Sequence, residues 1–226
     1  MESQWLIGWL WVLAAGLVGF GLSAVFAGWL HLPRRLFILP YTLISGAFFY
    51  AFLRWNAIDP VDLVRRNWAW GLIGALAVGV FVVKNVLSQG RSAHARGWLL
   101  ALDVLWLGVV YGLVDALLLS VVPVLAAWQS FARLGWTVSW AGKAAFGISA
   151  ILASLWVTAA YHFGYPEFRN PQLAKPVFGN GVMSLGYLLT GNPIAALFSH
   201  IAMHIAAVLH GPDTAAQLPP HAIQPR

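Results

Sequence analysis

Leu107-Gly-Val-Val-Tyr-Gly-Leu-Val-Asp115-Ala-Leu-Leu-Leu-Ser120 sets one carboxylate deep inside an apolar run, out of snorkelling reach of either end. The whole run, residues 98–122, exceeds the roughly 20 residues that cross a bilayer as a helix. A charge in the hydrocarbon core costs about 2.5–3.5 kcal/mol on insertion scales, so Asp115 is expected to face a protein interior and to have a partner there. The stretch therefore decides two things together: a membrane-spanning helix, and a polar centre inside the bundle that holds it.

The rest of the chain follows the same pattern. Of its 226 residues 60% are hydrophobic and 9% charged, with a mean hydropathy of +0.75. Alternating polar and apolar residues, the mark of a membrane barrel, are missing, so the fold class is all-α, a polytopic membrane bundle of about seven helical segments. Hydropathy sets these at 5–30, 36–53, 68–87, 98–122, 142–163, 179–190 and 193–210. Residues 1–212 read as one transmembrane domain and 213–226 as an irregular tail. The first run is too long for a signal-peptide core and reads as a retained span. Thirteen Trp, many near span ends, fit an aromatic belt.

With no Cys, thiolate metal sites, catalytic thiols and disulfides are excluded. The net charge of +6 is spread over short loops, which argues against nucleic acid and for contact with anionic lipid headgroups. Gly179-Asn-Gly is too short for a phosphate loop. The chain is expected in the plasma (inner) membrane, and Lys and Arg, Arg226 among them, counted by alternate loops favour an N-terminus outside.

Local signals add detail. Asp59-Pro60 reads as a helix start. Pro123 is expected to end or kink the fourth helix, leaving 124–140 along the interface. Segment 179–190 is too short to cross alone. Thr190-Gly-Asn-Pro reads as a tight turn with Asn192 as N-cap, which makes the last two helices a close hairpin. His210-Gly-Pro predicts a left-handed glycine cap at Gly211.

Three further ionisable residues lie in or at the edge of apolar runs. His200 and His204 are four apart and share one helix face, a spacing that suits two ligands to one metal or two donors to one oxyanion. His162 closes the fifth span. Neutral imidazoles with a carboxylate suit zinc, iron or copper, so a metal ion or haem at His200 and His204 is one reading. The pair lacks the Glu of His-Glu-xx-His, and a hydrolytic zinc site is not specifically signalled. The plainer alternative is polar glue between helices, in a structural or accessory subunit of a membrane complex. Asp103 reads as an interfacial first-turn carboxylate; His31, His94 and His221 carry no assignment.

The order of these residues over about 98–210 resembles the CAAX-type intramembrane endopeptidases, the CPBP or Abi family. Their three motifs are Glu-Glu-xxx-Arg, Phe-xxx-His and His-xxx-Asn. Asp115-Ala116-Leu-Leu-Leu-Ser120, Thr158-Ala-Ala-Tyr-His162 and His200-Ile-Ala-Met-His204 stand in those slots, and Gly186–His200 is similar to the family's helix, turn and helix before its third motif. The resemblance implies metal-independent hydrolysis of a membrane-protein or peptide substrate, with no cofactor. Asp115 and His162 would activate water, and His200 with His204 would stabilise the oxyanion. Ala116 and Ser120 replace the second Glu and the Arg, so that ion pair is lost as a whole, and the resemblance extends equally to an inactive relative. His162 lies near the Gly164 and Pro166 helix stop, so its meeting with Asp115 requires 164–178 to fold back into the bundle.

Overall fold

The computed structural model describes residues 2–219; Arg226, His221 and the rest of the tail beyond 219 lie outside the described residues. Eight helices follow one another: α1 (Glu2–Leu22, carried on as a π-helix over Ser23–Trp29), α2 (Arg34–Trp55), α3 (Pro60–Arg65), α4 (Trp68–Leu87), α5 (Trp98–Arg133), α6 (Trp140–Phe163), α7 (Ala174–Thr190) and α8 (Ile194–His210). Among the described residues there is no strand, and the fold is an all-helical bundle. Five helices, α1, α2, α4, α5 and α6, are long and apolar enough to cross a membrane. Their outer faces are greasy: Leu10, Leu17, Leu43, Leu76 and Ile148 stand exposed. In water such a surface would be a liability, whereas against lipid tails it costs nothing. Exposed Trp29, Trp55, Trp68, Trp98 and Trp140 gather at helix ends, as an aromatic girdle requires.

α5 is the central pillar. Of its most apolar stretch 78% is buried inside the protein, against 28–39% for the other four long helices. Its backbone is uneven, with π-helical turns over Val104–Val110 and Leu117–Val121 on either side of the α-helical Tyr111–Ala116 that carries Asp115. Such turns recur at functional sites. Pro123 does not end this helix, although the π-turn over Leu117–Val121 comes just before it, and 124–133 continue it inside the bundle. The helix runs on to Arg133, and Val124, Leu125, Ala126, Ala127, Ser130 and Phe131 are buried where α1 and α6 pack against it. The physical reason lies four residues back. Pro123 has no N–H to offer the Leu119 carbonyl, and that oxygen instead accepts from Ser154 Oγ of α6 at 2.8 Å and Asn180 Nδ2 of α7 at 3.2 Å.

α8 lies against α4 and the middle of α5, and two glycines of α5 set how close. A Cβ on Gly112 would sit 2.9 Å from Ile201 Cα and 3.1 Å from the His200 carbonyl, and one on Gly108 would sit 2.8 Å from Ile205 Cγ1. Gly108-Val-Val-Tyr-Gly112 thus forms a small-xxx-small seam that lets two helix backbones approach.

α7 begins five residues earlier than its hydropathy suggests, because Pro176 falls within the first turn, where the missing N–H has no helical partner to lose. Gly191, at φ 63°, makes the left-handed turn and donates to the Tyr187 carbonyl at 2.8 Å. Asn192 Oδ1 then accepts from Ile194 N at 2.8 Å, the predicted cap. Its Nδ2 reaches the Val64 carbonyl at 2.8 Å and also the Arg66 carbonyl, tying the hairpin to α3. Asp59 likewise opens α3 by accepting from Val61 N at 2.7 Å. Gly211 is not the left-handed cap its sequence predicts: its φ is 172°, which is extended. Glycine is required there by crowding, since a Cβ would sit 2.5 Å from Ser92 N.

Candidate metal centre

Three elements deliver the centre: α2 brings Tyr41, α5 brings Asp115, and α8 brings His200 and His204 from successive turns. Asp115 is 4% exposed and both histidines 1%. Tyr41 donates its hydroxyl to Asp115 Oδ1 at 2.8 Å. The other oxygen, Oδ2, faces His200 Nδ1 at 3.4 Å and His204 Nε2 at 3.4 Å. One donor atom from each of Asp115, His200 and His204 lies within 4.8 Å of the other two. The Tyr111 ring meets the His204 ring edge-on, with centroids 4.7 Å apart.

The Gly108–Gly112 seam is what makes this possible. It brings the α8 backbone against α5, so short imidazole arms reach a carboxylate on the neighbouring helix. A side chain at Gly112 would also meet the His204 ring, 3.1 Å from Cδ2.

A second polar cluster adjoins the first. His200 Nε2 meets Asn180 Oδ1 at 3.0 Å. Asn180 also accepts from Ser120 Oγ at 2.8 Å and directs Nδ2 at Ser154 Oγ, 2.8 Å, and Thr158 Oγ1, 2.6 Å. Ser184 donates to Ser120 Oγ at 2.9 Å. Ser120, in the slot where the resembled family has Arg, therefore belongs to a neutral hydroxyl and amide network. A guanidinium there would have needed a carboxylate partner, and Ala116 supplies none.

The structure brings three of the four predicted site residues together and leaves one aside. His162, 7% exposed, directs Nδ1 at the Thr158 carbonyl, 2.9 Å away, and packs against Tyr161, Tyr165 and Phe168. Residues 164–173 do turn back, through two short 3₁₀ turns that bury Tyr165 and Phe168. They cover His162 and leave it outside the Asp115 donor group. Asp103 is held by Arg35 in a two-point pair at 2.7 and 2.9 Å at one end of the bundle. Arg169 donates to the carbonyls of Phe163 and Gly164.

Two participants escape a sequence reading, Tyr41 and Asn180. Asn180 carried a signal, a lone amide in the helical run Val-Phe-Gly-Asn-Gly-Val-Met, of the same kind as Asp115 itself. Tyr41 carried none, because tyrosines are common in membrane helices. Comparisons with protein-family models, curated proteins and solved structures find no match.

Two imidazole nitrogens and one carboxylate oxygen form a donor set suited to zinc, iron or copper and poor for magnesium or calcium, which prefer oxygen. The group can hold a metal ion.

Proposed function

We propose that this integral membrane protein binds a transition-metal ion through Asp115, His200 and His204. The observation that carries the reading is a length. With metal–ligand bonds of about 2.0–2.1 Å, the edge of a tetrahedron is about 3.4 Å. Both nitrogens stand 3.4 Å from Asp115 Oδ2. Three protein ligands leave a fourth position for water or substrate, the arrangement from which metal-assisted hydrolysis starts.

Metal analysis of the protein purified in detergent and loaded with zinc or cobalt tests this directly. One equivalent per chain is expected, and loss of that equivalent in His200→Ala and His204→Ala. A wild-type protein that retains no metal rejects the reading. A Soret band in the absorption spectrum would move the assignment to haem.

A second reading is a metal-independent intramembrane endopeptidase similar to the CAAX-type enzymes. The observation in its favour is the meeting of Asp115 with His200 and His204 across two helices. Cleavage of a hydrophobic reporter peptide that resists chelators and disappears in Asp115→Asn would support it. Chelator-sensitive cleavage would join the hydrolytic reading to the metal one.

A further inference from the structure

The hydrogen-bond inventory around Asn180 fixes where the proton on His200 sits. Thr158 spends its hydroxyl proton on the Ser154 carbonyl at 2.8 Å, and Ser154 donates to the Leu119 carbonyl at 2.8 Å. Both hydroxyl oxygens are thereby left as acceptors toward Asn180, and the Leu119 carbonyl can only accept. The amide edge facing these three oxygens must be the NH₂ group. Turned the other way, Asn180 would set its own carbonyl against the Leu119 carbonyl and lose those donations inside a buried site, at about 1–3 kcal/mol for each unsatisfied group.

Asn180 Oδ1 therefore faces Ser120 and His200, and an oxygen can only accept. His200 must donate from Nε2 across the 3.0 Å contact. A neutral imidazole has one N–H, so Nδ1 carries the lone pair. That lone pair is buried, makes no hydrogen bond, and lies 3.4 Å from Asp115 Oδ2. Two unshared pairs facing each other in a water-poor interior repel, and a cation between them reverses the sign.

We propose that Asn180 is the positioning residue of the centre: by accepting from His200 Nε2 it selects the tautomer that presents Nδ1, as a ready ligand, to the ion shared with Asp115 and His204. Metal-bound histidines commonly donate their second N–H to such an outer partner, which fixes ring and tautomer together. Asn180 does so from α7, a helix that supplies none of the three ligands, and the same amide is anchored to α5 through Leu119 and Ser120 and to α6 through Ser154 and Thr158. Three helices, α5, α6 and α7, thus agree on the direction of a ring carried by α8. His204 has no such helper, its Nδ1 being buried without a hydrogen-bond partner, so the two imidazoles are not equivalent ligands. His200 is oriented in advance by Asn180; His204 is held by its contact with Asp115 itself and by packing against Tyr111.

The inference rests on the metal reading above, and one experiment separates them. Cobalt(II) is titrated into detergent-purified wild type, Asn180→Leu and Asn180→Asp, following the visible d–d bands, with zinc competition for affinity. Asn180→Leu is expected to weaken binding about 10–100-fold and to alter the band pattern. Asn180→Asp keeps the acceptor toward His200 but loses the donations to Leu119, Ser154 and Thr158, so its affinity should lie above that of Asn180→Leu. Wild type that binds cobalt while a folded Asn180→Leu matches it in affinity and spectrum overturns the role of Asn180 and leaves the metal reading standing. Wild type that binds none overturns both. If Asn180→Leu does not fold, Asn180→Ala decides: a folded protein that matches wild type in affinity and spectrum would sink the role of Asn180.

Discussion

Two buried polar clusters lie side by side in this bundle, and they differ in completeness. Around Asn180 the hydroxyls of Ser120, Ser154, Thr158 and Ser184 all find partners on neighbouring helices. Next to them, Asp115 gathers two imidazoles, and His200 Nδ1, the nitrogen turned toward Asp115 Oδ2, makes no hydrogen bond. Inside a membrane protein a satisfied network needs nothing more than adhesion to explain it. An unsatisfied one costs free energy in the folded state, and such a cost persists where a ligand offsets it. The contrast teaches that burial alone does not mark a site: what sets the Asp115 group apart is an unpaired imidazole nitrogen together with a carboxylate and a second imidazole within 4.8 Å.

Substitutions can break this contrast or sharpen it. The largest effect is expected for Asp115→Asn, which keeps the shape and removes the charge: metal affinity measured by competition with a chelating dye should fall by more than about 100-fold, beyond what loss of an outer partner costs. Gly112→Val comes next. Its side chain would push Ile201 and His204 away, so bound metal should drop at least about tenfold, and overpacking should cost roughly 1–3 kcal/mol in a denaturant titration. Ser184→Ala touches only the complete cluster. It should lower stability by about 0.6 kcal/mol with no change in metal content, whereas a parallel fall in both would merge the two clusters into one unit. His162→Gln is expected to change least, leaving metal affinity within about twofold of wild type. On the endopeptidase reading the same substitution would abolish peptide cleavage, so this small effect discriminates sharply.

Much of the bundle was legible because lipid imposes simple demands. Long apolar runs gave the helices, and charge buried within them gave Asp115, His200 and His204. What stayed hidden depended on docking. Hydropathy is blind to a helix start such as Ala174-Lys-Pro, since the turn is helical for backbone reasons. The Gly211 expectation failed because glycine answers two needs, a left-handed turn or a close neighbour, and the chain cannot say which. His162 looked equivalent to the other histidines by composition and order, yet a neighbouring carbonyl and three aromatic rings claim it. The Gly108-xxx-Gly112 spacing was readable as a close-packing seam, and it was the missing clue that the His200 face would be drawn against Asp115.

Pro123 gives the fold an odd accounting. By propensity scales a proline inside a helix costs about 3 kcal/mol, and any algorithm seeking a sturdier protein would convert it to alanine. Here the conversion would hand Leu119 a new suitor from its own strand of backbone, in competition with α6 and α7. The helix would improve as a helix and loosen as a neighbour, so that a stabilising edit at position 123 would be read out as slack in the His200 imidazole, one amide away from Leu119.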